Sequence, residues 1–170
     1  MGRYFFGLNL ANSNKQDIAN WRKQYLPNDT KSVTSENFHI TLLFLGNVDE
    51  ETMSLCVKAV NHIYAEQFSI SLNNIGFWAK PKVLFLGSDR VANNLVTLVE
   101  KLTNIALELA VNIQQRPYIP HLTLCRKAKH LPDVLVSPNF NIEFSSFCLY
   151  ESISTDQGVK YKVIHSWPLR

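Results

Sequence analysis

Hydrophobic positions along the chain follow the two-residue period of strands in some segments and the longer period of helices in others. Helical spacing predicts helices over 13–25, after Asp49 and after Ser88. Strand-like segments, in which apolar residues dominate or alternate with polar ones, are 3–10, 38–46, 68–73, 83–87, 121–125, 140–150 and 159–167. Because these elements do not alternate strictly, the order favours an α+β fold with largely antiparallel sheets and helices outside.

Capping patterns predict where the three helices begin. "SNKQ" at 13–16 has the form of a capping box, in which Ser13 would bond to the first turn of the helix. Asp49 precedes the second helical stretch and "SDR" at 88–90 precedes the third. The segment "STDQG", with Gly158 at its end, predicts a turn between the last two strands.

Two strand-like segments carry the same polar pattern. The sequence "HITL" occupies 39–42, and "HLTL" occupies 121–124. Side chains two positions apart on a strand share a face, so the His and Thr of each copy project together. One such triplet is weak evidence for a site, whereas a matched pair in two apolar strands is strong evidence. If the strands meet across a cleft, two imidazoles and two hydroxyls surround one position.

That arrangement suits a tetrahedral oxyanion such as a phosphate. Hydroxyl groups can donate to the non-bridging oxygens. Histidine titrates close to neutral pH, so one ring can protonate a leaving oxygen while the other accepts a proton from water. The pattern therefore indicates acid–base chemistry on a phosphoester.

Two other interpretations of the paired motifs stay open at this point. Each His–Thr pair could be a polar patch at a sheet edge, or His39, His121 and Cys125 could bind a metal ion. No carboxylate or third histidine lies at ligand spacing near either motif, so we expect no metal site.

Composition narrows the class of protein. The chain has 170 residues, is 46% hydrophobic and 18% charged, and carries a formal charge of +3. This balance allows a sizeable core and an anionic ligand, and it argues against disorder or a nucleic-acid-coating protein. Three scattered cysteines suggest free thiols in a reducing compartment. No apolar run approaches the ~20 residues of a membrane helix. We therefore expect a cytoplasmic protein with no membrane association.

At its two motifs the sequence resembles the two-histidine phosphoesterase superfamily. It looks most like the bacterial RNA 2′,3′-cyclic phosphodiesterases, formerly called 2′-5′ RNA ligases. The resemblance runs in family order through "RYFFGLNL", "FHITLLFLG", "KPKVLFLG", "RPYIPHLTLCRKA" and "FCLYES". It implies one two-lobed domain over 1–170, with pseudo-twofold symmetry, an antiparallel sheet in each lobe and a central cleft. It also implies metal-independent hydrolysis, without a cofactor, of a 2′,3′-cyclic phosphate to a 2′-phosphomonoester.

The resemblance implies a role for five residues of this sequence. His39 would be the general acid and His121 would position or activate water. Thr41 and Thr123 would hold the phosphate oxygens, together with Arg126. Strand parity places Arg126 on the face opposite His121, so a bulge or the end of the strand is needed to bring it round.

The substrates implied are RNA ends or cyclic nucleotides, with no obligate protein partner, and a monomer fits this picture. Three other functions stay open: 2′-5′ ligation, hydrolysis of another cyclic phosphate such as ADP-ribose 1″,2″-cyclic phosphate, and binding of RNA ends without turnover. Trp78 and Tyr161 are candidates to stack on a nucleobase, although aromatic residues in such positions are more often core or rim residues.

Overall fold

The computed structural model describes residues 1–28 and 30–170. Within these residues the chain forms ten strands and three helices, and a short 3-10 turn at Ser35–Asn37 precedes the third strand. The elements in chain order are β1 (Gly2–Asn9), α1 (Asn12–Tyr25), β2 (Lys31–Ser32), β3 (His39–Val48), α2 (Glu50–Val60), β4 (Phe68–Leu72), β5 (Asn74–Trp78), β6 (Val83–Gly87), α3 (Asn93–Glu108), β7 (His121–Arg126), β8 (Phe140–Phe144), β9 (Ser146–Thr155) and β10 (Gly158–Pro168).

The strands form a large sheet and a small one. The large sheet has the order β10-β9-β1-β3-β7-β6-β5, and β2 adds to β7. The small sheet consists of β4 and β8. The strand pairs in both sheets are antiparallel. The predicted α+β class with antiparallel sheets is therefore confirmed.

The large sheet consists of two halves that meet where β3 runs beside β7. In the described residues the two strands pair at one position, Ile40 opposite Leu122. Both side chains have no exposed surface. On one side of this joint β3 pairs with β1, and on the other side β7 pairs with β6. The two motifs thus lie on adjacent central strands related by an approximate twofold axis.

A β-bulge interrupts each motif strand at the same place. On β3, Thr41 lies opposite Gly7 and Leu43 opposite Phe6, so Leu42 is an extra residue. On β7, Thr123 lies opposite Phe85 and Cys125 opposite Leu84, so Leu124 is the extra residue. A bulge changes the alternation of side chains along a strand. Each strand can therefore turn two consecutive residues toward the core beyond its threonine: Leu124 and Cys125 are both buried, whereas Leu42 is buried and Leu43 is half-buried.

The two faces of the large sheet have different roles. One face, with Phe6 and Leu8 on β1, packs against the three helices in the main core. Each helix supplies a buried apolar stripe, such as Leu95, Leu98 and Leu102 on α3. The opposite face carries Phe5 and Tyr150 in a smaller cluster beside the motifs. The site therefore lies on the face away from the main core.

The cysteines are free, and all three are buried. No helix in the described part of the chain has both the length and the apolar character to span a membrane.

Two of the predicted helix caps are wrong. Asp49 does cap α2, since its carboxylate accepts a hydrogen bond from the Thr52 amide at 2.8 Å. Helix α1, however, begins at Asn12 and encloses Ser13. Helix α3 begins at Asn93. Asp89 is bonded to Asn73 through both its amide and its carboxylate, so it lies in the segment before the helix and does not cap it.

The predicted strand 140–150 is two strands in different sheets. β8 pairs with β4 in the small sheet, and β9 pairs with β1 and β10 in the large sheet. The chain changes sheets at Ser145, whose carbonyl accepts a hydrogen bond from the Leu169 amide at 2.8 Å. β5 was not predicted as a separate strand, because its polar start runs directly on from β4.

Substitution of Ile40 tests the joint between the half-sheets. Ile40→Ala should lower the free energy of unfolding by about 2–5 kcal/mol, because the side chain is fully buried where neighbouring strands leave little freedom to collapse. Urea denaturation measures this change. Leu135→Ala is the control, since Leu135 is 97% exposed and its loss should leave stability unchanged. A loss below about 1 kcal/mol for Ile40→Ala would contradict tight packing at the joint.

Candidate active site

The register of β3 and β7 brings the two motifs together. In an antiparallel pair centred on Ile40 and Leu122, His39 lies next to Thr123 and Thr41 lies next to His121. These four side chains flank the joint on the face away from the core. Each imidazole therefore neighbours the hydroxyl of the other motif as well as that of its own.

Both imidazoles are held in the same tautomer. Nδ1 of His39 donates to the carbonyl oxygen of Asn37 at 2.7 Å, and Nδ1 of His121 donates to that of Ile119 at 2.8 Å. A carbonyl oxygen only accepts, so each Nδ1 must carry a hydrogen. In the neutral rings Nε2 is then the acceptor. The Thr41 hydroxyl lies 3.1 Å from Nε2 of His39 and can donate to it.

Aromatic side chains surround both rings. His39 lies 4.9 Å from the Phe5 ring and 4.8 Å from that of Tyr161, measured between centroids. His121 lies 4.5 Å from Trp78 and 5.7 Å from Phe85. Trp78 and Tyr161, the two candidates for base stacking, thus pack edge-on against the histidines. They limit the water that reaches the imidazoles.

This environment disfavours the charged imidazolium. Burial lowers the pKa of His39 to about 4, although its bond to the Asn37 carbonyl partly opposes the shift. The positive charges of Lys15 and Arg126, and that of His121 when it is protonated, lower the pKa of His39 further. Burial also lowers the pKa of His121, with a smaller contribution from Arg116. Both rings are therefore neutral at pH 7 in the free protein.

The bulge on β7 places Arg126 on the motif face. Leu122, Leu124 and Cys125 are buried in the core, whereas His121 and Thr123 lie on the other side of the strand. Because Leu124 and Cys125 both turn inward, the alternation resumes one residue late and Arg126 faces the same way as Thr123. The charge of Arg126 is also felt at His39, which agrees with this placement.

Three contacts near the motifs were not predicted from the sequence. Lys15 Nζ on α1 donates to the Glu36 carbonyl at 3.1 Å and lies close enough to His39 to affect its pKa. The Asn37 amide donates to the Val159 carbonyl at 2.7 Å and ties the β9–β10 hairpin to the residues before His39. The Tyr118 hydroxyl donates to the Thr41 carbonyl at 3.0 Å and links the two halves of the site. All three join residues far apart in sequence.

Cys125 cannot be the sulfur ligand in the metal interpretation of the motifs. Cys125 belongs to the main core, on the opposite side of β7 from His121. Within residues 1–28 and 30–170, no three His, Cys, Asp or Glu side chains are grouped so as to hold a metal ion. The motif face of the sheet brings together two imidazoles, two hydroxyls and one guanidinium group, from His39, Thr41, His121, Thr123 and Arg126.

The amino-acid sequence is similar to a known family and to several named proteins. Residues 8–85 match the family model described as LigT like phosphoesterase. The RNA 2′,3′-cyclic phosphodiesterase of Methanocaldococcus jannaschii is 30% identical to this chain. The alignment covers 97% of this chain and 99% of that protein. The enzyme of the same name from Escherichia coli K12 is 28% identical, and the alignment covers 98% of this chain and 96% of that protein.

A solved structure shows the same likeness in three dimensions. The crystal structure of E. coli LigT complexed with 3′-AMP superimposes with a TM-score of 0.93 at 27% sequence identity. The match covers 99% of this chain and 98% of that one. The fold is therefore shared over nearly the full length of both proteins.

The depressed pKa of His39 should make stability depend on pH. Since the folded pKa of about 4 lies below the ordinary value of 6.5, the unfolded chain binds the proton more readily. The stability that His39 contributes above pH 6.5 is thus lost as pH falls toward 4. The loss from His39 alone should reach about 2 kcal/mol between pH 7.5 and pH 5.

Urea denaturation at these two pH values, for the wild type and His39→Gln, measures this effect. The variant should lose about 2 kcal/mol less stability on acidification than the wild type. His62→Gln is the matched control, because His62 is an exposed histidine just beyond α2. Equal pH dependence in the wild type and His39→Gln would show that His39 titrates normally.

Proposed function

The chain belongs to the LigT-like phosphoesterases, and from this premise we propose that it is an RNA 2′,3′-cyclic phosphodiesterase. It opens the cyclic phosphate at the 3′ end of an RNA strand and leaves a 2′-phosphomonoester. Relatives of that name in bacteria and archaea match it at 28–31% identity. Because two of these matches span nearly the whole chain, the likeness is not limited to one segment.

The observation that carries the proposal is the matched orientation of the two imidazoles. Each donates through Nδ1 to a carbonyl two residues before it, so each has Nε2 available for the substrate. The register of the motif strands sets these two rings on opposite sides of the Ile40–Leu122 joint. A phosphorus atom between them would have one proton donor and one proton acceptor on opposite sides, as in-line displacement requires.

In the proposed reaction, water attacks phosphorus and the bond from phosphorus to O3′ breaks. Nε2 of His121 accepts a proton from the water, and protonated Nε2 of His39 gives its proton to O3′. The product keeps the phosphate on O2′, and the two histidines exchange protonation states before the next turnover. Thr41, Thr123 and Arg126 hold the non-bridging oxygens, where negative charge is concentrated.

We also propose that this reaction proceeds without a metal ion. The proton transfers have partners in the two imidazoles, and the phosphate charge is met by the hydroxyls and by Arg126. A Lewis acid would supply a function that these groups already cover. Activity should therefore persist in the presence of a chelator.

Replacement of either histidine tests its role in proton transfer. His39→Ala and His121→Ala should each lower the rate of 2′,3′-cyclic AMP hydrolysis by about 10²–10⁴-fold. The rate is measured in EDTA, with chromatographic identification of the product as 2′-AMP. The double variant should lose little more than the worse single variant, because the two rings act as a unit.

His62→Ala is the control and should keep the wild-type rate. A single variant with near-normal turnover would remove that histidine from the mechanism. Loss of wild-type activity in EDTA, with recovery on adding zinc or manganese, would favour a metal-dependent reaction. Tight binding of 2′,3′-cyclic AMP by the wild type without turnover would instead indicate a binding module.

The pH profiles of kcat and kcat/KM should differ. His39 is neutral in the free protein at pH 7, whereas the acid must be protonated when it acts. An anionic cyclic phosphate stabilises the imidazolium, so the pKa of His39 should rise in the complex. Because kcat/KM reports the free enzyme and kcat reports the complex, the alkaline limb of kcat should lie at higher pH. Coincident alkaline limbs would contradict His39 as the acid.

A further inference from the structure

Positive charge without neighbouring negative charge is concentrated in two stretches of the chain. The stretches 67–88 and 109–132 contain six of the 17 Lys and Arg residues and none of the 14 Asp and Glu residues. The rest of the chain is therefore net negative. β5, β6 and β7, which form the half of the large sheet that carries His121, lie within these two stretches.

Most of these charges collect where β7 ends. Ala128, just past β7, donates its amide to the Lys82 carbonyl in the β5–β6 turn at 3.1 Å, so the two segments are in contact. β2 pairs with the same end of β7. We call this group the basic rim; its members, all exposed, are Lys31, Lys80, Lys82, Arg126, Lys127 and Lys129.

Two members of the basic rim repel each other across adjacent strands. Lys31 lies directly opposite Arg126 in the β2–β7 pair, so their side chains share one face. Like charges placed directly opposite destabilise a sheet. An anion between the two side chains would remove this repulsion. The pairing therefore suits a ligand that brings negative charge to the rim.

Two further lysines occupy a backbone conformation that favours other residues. Lys82 and Lys127 have φ values of 54° and 58°, in the left-handed region where glycine and asparagine are usual. Nothing in the backbone calls for a lysine at either position. Both lysines lie beside the hydrogen bond between the Ala128 amide and the Lys82 carbonyl, where the β5–β6 turn meets the end of β7. What the two positions have in common there is a positively charged side chain.

The basic rim is continuous with the candidate active site through Arg126. Arg126 follows Thr123 on the same face of β7, and its charge reaches His39. A chain of phosphates that enters the site would therefore pass over the rim. A free cyclic nucleotide carries one phosphate, which the motifs already bind in the proposed mechanism, and would leave the lysines without a role.

We infer that the basic rim binds the ribose-phosphate backbone on the 5′ side of the reacting nucleotide. The RNA substrate of the proposed function gains this additional contact, whereas free cyclic nucleotides react without it. The inference rests on the proposed function, because it extends the same site along the substrate. Lys31, Lys82 and Lys127 act as substrate-binding residues and take no part in proton transfer.

The experiment compares two substrates over a range of salt concentrations. One is 2′,3′-cyclic AMP, and the other is an RNA of about ten nucleotides with a 2′,3′-cyclic phosphate end. For the wild type, log kcat/KM of the RNA should fall with log salt more steeply, by about 0.7 for each additional phosphate contact. The triple variant Lys31→Gln, Lys82→Gln, Lys127→Gln should lose most of this difference. At low salt it should lose at least about tenfold in kcat/KM for the RNA.

The matched control is Arg3→Gln, Lys58→Gln, Arg90→Gln, which removes the same number of exposed charges away from the rim. It should keep the wild-type values for both substrates. Hydrolysis of 2′,3′-cyclic AMP should stay within about twofold in both triple variants, which also shows that they fold. Equal salt slopes for the two substrates in the wild type, or equal losses in both triple variants, would overturn the inference. Failure of the wild type to hydrolyse 2′,3′-cyclic AMP would instead contradict the proposed function.

Discussion

The pairing of Ile40 with Leu122 joins the two halves of the large sheet, and the geometry of the site depends on it. Its antiparallel register places each histidine beside the threonine of the other motif. The joint is short, so a second link is needed to hold the halves at a constant separation. The hydrogen bond from the Tyr118 hydroxyl to the Thr41 carbonyl supplies such a link right at the motifs. Both links use the backbone of β3, so the other half of the sheet is positioned relative to this strand.

The bulges extend this constraint along the motif strands and keep their symmetry, whereas the residues that follow the bulges break it. Leu42 and Leu124 are the extra residues at equivalent positions. The approximate twofold axis relates Arg126, opposite Val83, to Phe44, opposite Phe5. One half therefore presents a guanidinium group to the site where the other presents a 48% exposed aromatic ring. The site is therefore asymmetric about this axis, since Arg126 adds its charge on the half that carries His121, whereas Lys15 lies near His39 on the other half.

The paired motifs could be predicted from the sequence because they rely on local periodicity. Strand character and side-chain parity are enough to group His39 with Thr41 and His121 with Thr123. Arg126 was harder to place, since its orientation depends on a bulge that only the pairing of β7 with β6 reveals. The failed cap of α3 has a similar cause, because Asp89 is bonded to Asn73 from another part of the chain. Lys15, Asn37 and Tyr118 carry no local signal, and their contacts exist only once distant segments are folded together.

The electrostatics of the site follow from the same arrangement. Aromatic walls exclude water from the imidazoles, and Lys15, Arg116 and Arg126 oppose the addition of a further positive charge. The free site is therefore rich in fixed cations but keeps its titratable groups neutral. An incoming anion changes both conditions at once, since it pairs with the cations and makes protonation of His39 more favourable. Under the proposed function, the proton that the leaving oxygen needs is taken up with the substrate, so the acid becomes competent mainly when a phosphate is present to receive it.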